Sequence, residues 1–329
     1  MTKPGSRKQL GRILTVVGVL LLAFLVYRLG LQTLWTTIVQ FGPWYLPICV
    51  IGAGELLCHA GAWWLIMRDF FQPVALLELF RVKIISEGFN MILPSASLGG
   101  DAMRAFLIRE RVPLSVGVPA VLFDKTTEFV ASTVFLGSGL LLGLLSLRLP
   151  VTLIVPAVVS LAITSVGIVL LVVAQKRGVT RSLLMLSMVL PAARRWVLAR
   201  ESKLLAMDES LGLLYTRSNH RALLPVVVHF LARCVSVFEV MVILAVLGTP
   251  VTYIQALFIA TIVTSANTAF FLFPGQWGVT ESVHVLVLQS MGYPAAVGLS
   301  LGLIRRIRKL MFVGVALVLL ELKKKHSSP

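Results

Sequence analysis

Ionisable residues within apolar stretches are the feature of this sequence best suited to do chemistry. Glu55 and His59 stand four residues apart, so a helix would carry this acid and this base on one face. Each charge costs about 2.5–3.5 kcal/mol at the centre of a membrane helix, so a large set must pair internally or line a wet cavity. The set comprises Glu55, His59, Asp101, Arg104, Asp124, Lys125, Glu128, Arg233, Glu239, Glu281, Arg305, Arg306, Arg308 and Lys309.

The bases of this set are mostly arginines, whose planar guanidinium groups suit two-point binding of phosphate. We predict that Arg104, Lys125 and Arg305 hold an anionic group. The alternative is that the bases pair only with acids of the same set. The pairs expected in that case are Asp101 with Arg104, Asp124 and Glu128 with Lys125, and Arg233 with Glu239.

Five residues of the apolar stretches are candidates for a proton relay, because buried carboxylates and histidines commonly carry protons through membrane proteins. For the histidines the alternative is a packing role with satisfied hydrogen bonds. The candidates are Glu55, His59, Asp124, Glu128 and His284.

Signatures of catalysis are missing from the sequence. Cys49, Cys58 and Cys234 lie in apolar stretches and show no CxxC spacing. No cluster has metal-ligand spacing, and neither a Ser-His-Asp set nor a phosphate-binding glycine loop is signalled. We therefore expect no enzyme activity, no cofactor and no metal.

Membrane-spanning helices are the elements that must position these residues. Mean hydropathy is +0.92 and only 13% of the residues are charged, which excludes an ordinary soluble domain. The net charge of +16 gathers at the ends of apolar runs, as in membrane proteins, and forms no stripe for nucleic acid. Runs of about 20 residues match the hydrocarbon core. Full crossings are predicted near 12–29, 44–67, 114–147, 150–174, 222–248 and 294–321.

Charges in the loops predict the orientation of the chain. Basic residues before the first crossing and after the last place both termini in the cytoplasm, with the protein in the bacterial cytoplasmic (inner) membrane. The first apolar run lacks a small-x-small cleavage site and is predicted to be a retained helix. The basic stretch 175–221 is predicted to be a cytoplasmic linker. Its helical spacing of leucines fits a surface helix drawn to anionic lipid or a linker helix packed on the protein.

Two apolar pieces, near 82–111 and 253–292, each begin and end on one side of the membrane in this scheme. We predict two re-entrant hairpins, the first entering from the cytoplasm and the second from outside. Residues 44–147 and 222–321 would then be inverted copies of one unit, span–hairpin–span, within a single membrane domain of residues 1–329. Secondary transporters use this arrangement and place their site between the copies.

Matched spacings in the two pieces support the repeat. In each piece a proline is followed by an acid after seven residues, by a base after ten and by a further base after 31. The alternative is coincidence in a glycine-rich membrane chain. The first copy has Pro94, Asp101, Arg104 and Lys125, and the second has Pro274, Glu281, His284 and Arg305.

A proline–glycine break in each hairpin would free backbone N–H groups and start a new helix near the bilayer centre. The positive end of that helix attracts anions, phosphate in particular. Glycines at the break let a ligand or a second backbone approach closely. The predicted binding site therefore comprises Asn90, Pro94, Gly99, Gly100, Asp101, Arg104, Lys125, Asn267, Pro274, Gly275, Gly278, Glu281 and Arg305.

The two breaks also carry a family resemblance. Residues 90–104 resemble the first signature of the flippase-like family named for the transmembrane region of lysylphosphatidylglycerol synthetase. Residues 273–281, Phe-Pro-Gly-Gln-Trp-Gly-Val-Thr-Glu, resemble its second signature, with Gln276 in place of a glycine. Residues 301–310 resemble the last span of the hopanoid-associated branch. The likeness covers roughly residues 10–320.

This resemblance implies a domain that moves an anionic or modified lipid between leaflets, such as a phospholipid, a polyprenyl phosphate or a hopanoid-type lipid. The soluble aminoacyl-transfer domain of the synthetase is not found in this sequence, so aminoacylation of lipid is not expected. The alternative is a non-transporting membrane partner of a lipid-modifying enzyme in envelope-lipid or hopanoid synthesis.

Overall fold

The protein is an all-helical membrane protein. The computed structural model describes residues 31–71, 73–92, 98–147, 150–186, 197–217, 219–270, 276 and 278–326, and these residues contain no strand. The α-helices are α1 (Leu31–Phe41), α2 (Tyr45–Phe70), α3 (Leu76–Ile92), α4 (Leu98–Leu107), α5 (Leu114–Ser146), α6 (Val151–Arg177), α7 (Val179–Leu186), α8 (Glu201–Arg217), α9 (Leu223–Val246), α10 (Tyr253–Ala269), α11 (Val279–Ser290) and α12 (Ala295–His326).

Four helical stretches of the described chain are long and apolar enough to cross a membrane: Trp35–Phe70, Leu114–Ser146, Val151–Arg177 and Leu223–Val246. They coincide with four of the predicted crossings. The crossing predicted at 12–29 lies outside the described residues. The crossing predicted at 294–321 corresponds to α12, a helix of 32 residues that is not among these four, because Arg305, Arg306, Arg308 and Lys309 make it less apolar.

The helices pack around an apolar core, and some of them approach each other so closely that the contact requires glycine. α2 lies against α9, and α5 lies against α9 and α10. At Gly143 of α5 an added Cβ would lie 2.6 Å from Cδ2 of Phe258 in α10, so only glycine fits this approach without a shift. Residues at the centre of the core include Ile48, Phe135, Val240, Phe258, Leu288 and Ile304.

α6 forms the outer surface of the bundle. Along its 27 residues only Ala157, Ser160 and Gln175 are buried, although this helix is the most apolar of the four spans. A helix that is apolar on all sides and exposed along most of its length faces lipid.

The linker predicted at 175–221 contains α7 and α8. α8 packs against α5 and α6 and buries Leu211 and Leu214, as expected for the packed linker helix. The Asp208 carboxylate accepts hydrogen bonds from the backbone N–H groups of Val179 and Thr180, at 2.6 and 3.0 Å, and so caps α7.

A hydrogen-bonded chain joins this linker to the bundle. The Tyr215 hydroxyl donates to Gln175 Oε1 at 2.7 Å, and Gln175 Nε2 donates to Thr126 of α5 at 2.9 Å. Burial raises the pKa of Tyr215 to about 12, so its hydroxyl keeps the proton that it donates.

Helices lie on both sides of each break predicted from proline and glycine. α3 ends at Ile92 and α4 begins at Leu98, while α10 ends at Ala269 and α11 begins at Val279. The two helices of each broken pair contact each other. Pro94, Pro274 and Gly275 lie outside the described residues.

Candidate functional site

An asparagine at the end of the first helix ties together each broken pair. Asn90 Oδ1 accepts a hydrogen bond from the Gly100 backbone N–H at 2.9 Å, and the Thr280 hydroxyl donates to Asn267 Oδ1 at 3.3 Å. Gly100 and Thr280 both immediately precede the acid of their motif. At Gly100 an added Cβ would collide with the Ser86 carbonyl, so glycine is required for this close approach.

Arg104 lies at the centre of a first charged cluster, here called the α5 cluster. Its guanidinium group lies 2.6 Å from Asp124 Oδ2 and 3.5 Å from Asp101 Oδ1, and it stacks 4.2 Å from the centroid of the Trp63 ring. The Arg104 side chain is completely buried. The positive charge of Arg104 is therefore already balanced by the carboxylates of Asp124 and Asp101.

The other members of the α5 cluster are paired as well. Lys125 Nζ lies 3.3 Å from Asp101 and 3.2 Å from Glu128, and Lys83 Nζ lies 2.8 Å from Glu87. An Arg233 guanidinium nitrogen lies 3.7 Å from Glu128. The α5 cluster thus has balanced charge. Its acids are Glu87, Asp101, Asp124 and Glu128, and its bases are Lys83, Arg104, Lys125 and Arg233.

Two histidines extend this cluster from α5 to α2. His229 Nε2 of α9 lies 3.1 Å from Asp124 Oδ1, and His229 Nδ1 lies 2.8 Å from His59 Nδ1. All three side chains are buried. They form a continuous hydrogen-bonded chain, Asp124–His229–His59.

The bases of α12 form a second charged cluster, here called the α12 cluster. Arg305 and Arg308 both bind Glu239, with shortest distances of 3.2 and 2.8 Å, and Arg308 also lies 3.6 Å from Glu55. Arg306 makes a two-point contact with Glu281: Nη2 lies 2.9 Å from Oε2, and Nε donates to Oε1.

Lys309 is the base of the α12 cluster that has no acid. All fourteen Asp and Glu residues of the chain lie among the described residues, and none comes within 4.0 Å of Lys309 Nζ. The cluster therefore sets four bases, Arg305, Arg306, Arg308 and Lys309, against the three acids Glu55, Glu239 and Glu281. It carries one excess positive charge.

A cavity of about 300 Å³ lies between the two clusters. Helices α2, α3, α5, α9, α10, α11 and α12 all contribute to its wall, and the side chain of Lys309 is exposed to it. The chamber gathers polar and charged groups, which lipid cannot solvate, inside a bundle of apolar helices. Its ionisable lining residues are Glu55, His59, Glu87, Glu128, Arg233, Glu281, His284, Arg305, Arg306, Arg308 and Lys309.

Comparison with known proteins identifies the family. The model of the lysylphosphatidylglycerol synthase TM region matches residues 10–316, almost the whole chain. The chain belongs to this family. No curated protein and no solved structure matches it. Together with the apolar helices, membership of the lysylphosphatidylglycerol synthase TM family fits a multi-pass membrane protein that handles lipid.

The cavity brings together four of the ten predicted binding residues that the structure describes. The structure places Asn90, Asn267, Glu281 and Arg305 in its wall, with Gln276 beside them. Gly278, with φ of +77°, precedes the first residue of α11, a conformation that glycine adopts without strain. Of the proposed relay residues, those in the wall are Glu55, His59, Glu128 and His284.

The other predicted residues that the structure describes lie outside the cavity wall. Arg104, Asp101, Lys125 and Asp124 lie in the α5 cluster behind it and are held by ion pairs. Gly99 and Gly100 lie in the first turn of α4. Two of the acid–base pairs expected as the alternative are therefore present, Asp101 with Arg104 and Lys125 with Glu128.

His284 presents an unused nitrogen in the second broken pair. Its Nδ1 bonds to the Thr280 carbonyl at 2.7 Å, and its buried Nε2 has no partner among the described residues. α12 lies close enough to α11 here that a Cβ at Gly298 would come within 2.6 Å of Val285 Cα. The ring is thus held firmly in the cavity wall.

Sequence reasoning missed several residues of the site. Glu87, Lys83 and His229 were not singled out, although each has a charged or ionisable neighbour at helical spacing. His229 precedes Arg233 by four residues, the same spacing that marked Glu55 and His59. This four-residue spacing is the feature of the sequence from which His229 could have been predicted as a site residue.

Proposed function

We propose that the protein is a lipid flippase that moves an anionic lipid between leaflets, with the headgroup passing through the cavity between the α5 and α12 clusters. Candidate lipids are phospholipids, polyprenyl phosphates and modified lipids of the hopanoid type. The observation that carries this proposal is the excess positive charge of Lys309 in a chamber whose other bases are paired.

An ammonium group that has no carboxylate partner in such a chamber favours the binding of an anion. None of the fourteen acids of the chain lies within ion-pair distance of Lys309, so its ammonium group can pair with an anion that enters the chamber. A singly charged phosphodiester headgroup would supply one. Arg305 lies in the same wall and is already oriented by Glu239 and Ser236, so its remaining N–H groups can add hydrogen bonds to the phosphate.

Arg104 and Lys125 have a different role in this proposal from the one expected from sequence. They hold Asp101, Asp124 and Glu128 in place and so shape the wall from behind. The headgroup contacts pass instead to Lys309, together with Arg305.

The same proposal includes the inverted repeat. We infer that the α3–α4 and α10–α11 pairs are re-entrant hairpins that enter from opposite sides, with both termini and the linker α7–α8 in the cytoplasm of a bacterium. The cavity receives Asn90 from the first pair and Asn267 from the second, which supports a site between two related units. Rocking of one unit against the other would open the chamber to each leaflet in turn.

A liposome assay tests this function. The purified protein is reconstituted with fluorescent phosphatidylmethanol, whose headgroup is a monoanionic phosphodiester without other polar groups, and its movement is followed by chemical quenching of the outer leaflet. We expect Lys309→Gln to slow movement at least about tenfold, equivalent to losing roughly 1.4 kcal/mol of headgroup interaction. Lys324→Gln, near the end of the same helix, is the matched control and should retain wild-type movement.

Two results would contradict the proposal. If lipid moved between leaflets at the same rate in Lys309→Gln and in wild type, the headgroup would not pass by Lys309 in this cavity. Lipid binding by the wild type without any movement would instead support the non-transporting partner of a lipid-modifying enzyme.

A further inference from the structure

We propose that the Asp124–His229–His59 chain binds a proton from the cavity, and that the anionic headgroup is taken up together with this proton. The inference rests on the proposed function, because it assigns the cavity an anionic occupant. It goes beyond that function by naming a second cargo and the residues that hold it.

The hydrogen-bond distances indicate where the protons of the Asp124–His229–His59 chain lie before it binds a further proton. Asp124 faces the Arg104 guanidinium at 2.6 Å, so it is a carboxylate and accepts from His229 Nε2–H at 3.1 Å. His229 Nδ1 and His59 Nδ1 are 2.8 Å apart, which requires one proton between them. In the neutral pair His59 Nδ1–H therefore donates to His229 Nδ1.

This arrangement leaves His59 Nε2 as a free lone pair. His59 lies in the cavity wall, and its Nε2 has no partner among the described residues. A histidine pair that served packing alone would be satisfied at both ends. Here one end is anchored by a carboxylate and the other opens into a polar chamber.

Uptake of a proton is balanced along the chain. A proton from cavity water binds His59 Nε2, and the proton on His59 Nδ1 passes to His229 Nδ1. His59 ends as the neutral Nε2–H tautomer. His229 ends as an imidazolium that donates to both His59 and the Asp124 carboxylate. The nitrogen that faces the cavity has then changed from a hydrogen-bond acceptor into a donor.

The surrounding charges explain why an anion should accompany the proton. Burial of the His59 ring opposes an added positive charge more than any one neighbour does. The charged and titratable groups around it are Lys83 from α3, Glu128 from α5, and His229 and Arg233 from α9, with Glu55 one turn away on α2 itself. Lys83 and Arg233 disfavour the proton, but each is already paired with an acid.

Charge balance decides the sign of the coupling. The α5 cluster has four acids and four bases, so an added proton leaves it with one excess positive charge. An anionic headgroup in the adjoining cavity lowers this penalty by electrostatic attraction, even though it also faces Lys309, and it can accept the new Nε2–H bond. Proton and anion should therefore each raise the affinity for the other, as linkage requires.

Proton release or uptake on lipid binding provides the direct test. Short-chain phosphatidylmethanol is added to the detergent-solubilised full-length protein in weak buffer containing a pH indicator dye. Because the phosphodiester stays monoanionic at neutral pH, any proton taken up from solution is bound by the protein and not by the lipid. We expect uptake of one proton for each lipid bound. Above the pKa that the Asp124–His229–His59 chain has in the lipid-free protein, the affinity for the lipid should fall about tenfold for each unit rise in pH.

Substitutions locate the proton. His59→Gln and His229→Gln should each bind the lipid without proton uptake and lose the pH dependence, whereas His326→Gln should match the wild type. Lipid binding by the wild type with no proton uptake would overturn the inference and leave the proposed function standing. Absence of any lipid binding would overturn both. Proton uptake retained by both His59→Gln and His229→Gln would place the proton elsewhere and also overturn it.

A spectroscopic measurement on the unaltered chain guards against variants that fail to fold. Nitrogen-15 NMR of histidine-labelled protein distinguishes the two tautomers. We expect His59 to change from the Nδ1–H to the Nε2–H form when the lipid is added. An unchanged His59 spectrum in lipid-saturated protein would contradict the proposed step.

Discussion

Glu281 and Arg306, 25 residues apart, join α11 to α12 through a two-point ion pair. Asp101 and Lys125 join α4 to α5 in the equivalent way, at 3.3 Å. In both broken pairs an acid in the first turn of the second helix binds a base on the long helix that follows. The spacing from the prolines matched Lys125 with Arg305. In the second pair, however, the acid Glu281 is bound by Arg306, the residue after Arg305.

Glu281→Gln should destabilise the protein by about 3 kcal/mol, because it removes the acid from a largely buried pair and leaves Arg306 uncompensated. Thermal unfolding in detergent measures the effect. The exposed neighbours Arg68 and Asp69 offer the control, since Asp69→Asn should cost under about 1 kcal/mol. Similar losses in both variants would argue against a structural role for the Glu281 pair.

Arg104→Lys should lower stability by about 1–3 kcal/mol, because an ammonium group cannot reach Asp124 and Asp101 in the same way or stack on Trp63. The lipid affinity of the protein that remains folded should change little. A large loss of affinity at unchanged thermal stability would instead place Arg104 on the headgroup, as the sequence predicted.

Gly298→Ala should destabilise the protein by about 1–3 kcal/mol, since the new Cβ would lie 2.7 Å from the His284 carbonyl oxygen and push α12 from α11. Gly314→Ala on the same helix meets nothing within 4 Å and should be neutral or stabilising by up to about 1 kcal/mol. Thermal unfolding of the two variants separates tight packing from helix propensity. Equal effects would show that α11 and α12 are not in close contact.

Leu214→Ala should cost about 2–4 kcal/mol, because Leu214 of α8 is buried against the bundle. Leu213→Ala is the matched control, since the neighbouring side chain is 48% exposed. If α8 were instead a membrane-surface helix, Leu213→Ala would weaken binding of the linker to anionic vesicles and Leu214→Ala would be the milder change.

Local patterns in the sequence predicted the helices of this fold well. Hydropathy located four of the six predicted spans, and Pro94 and Pro274 fall between the ends of described helices, because both properties depend on neighbouring residues alone. Ion pairs depend on which helices pack together, and these were predicted only in part. Arg233 was expected to meet Glu239 on its own helix, yet it lies beside Glu128 of α5.

The site was harder to predict than the helices for the same reason. Glu239 is completely buried and is shared by two arginines of α12, a contact across 66 residues that no spacing indicates. Lys309 was recognised as charged in an apolar region. Its importance appears only when each neighbouring base is seen to have an acid and Lys309 has none.

The four bases of α12 have a consequence for how the protein is made. Alone at the centre of a bilayer they would cost about 10–14 kcal/mol, so this helix cannot be inserted as an independent segment. Its acidic partners, Glu55, Glu239 and Glu281, all precede it in the chain and leave the ribosome earlier. We expect the translocon to release α12 only after these carboxylates are in place, so that insertion of α12 is the step that closes the bundle.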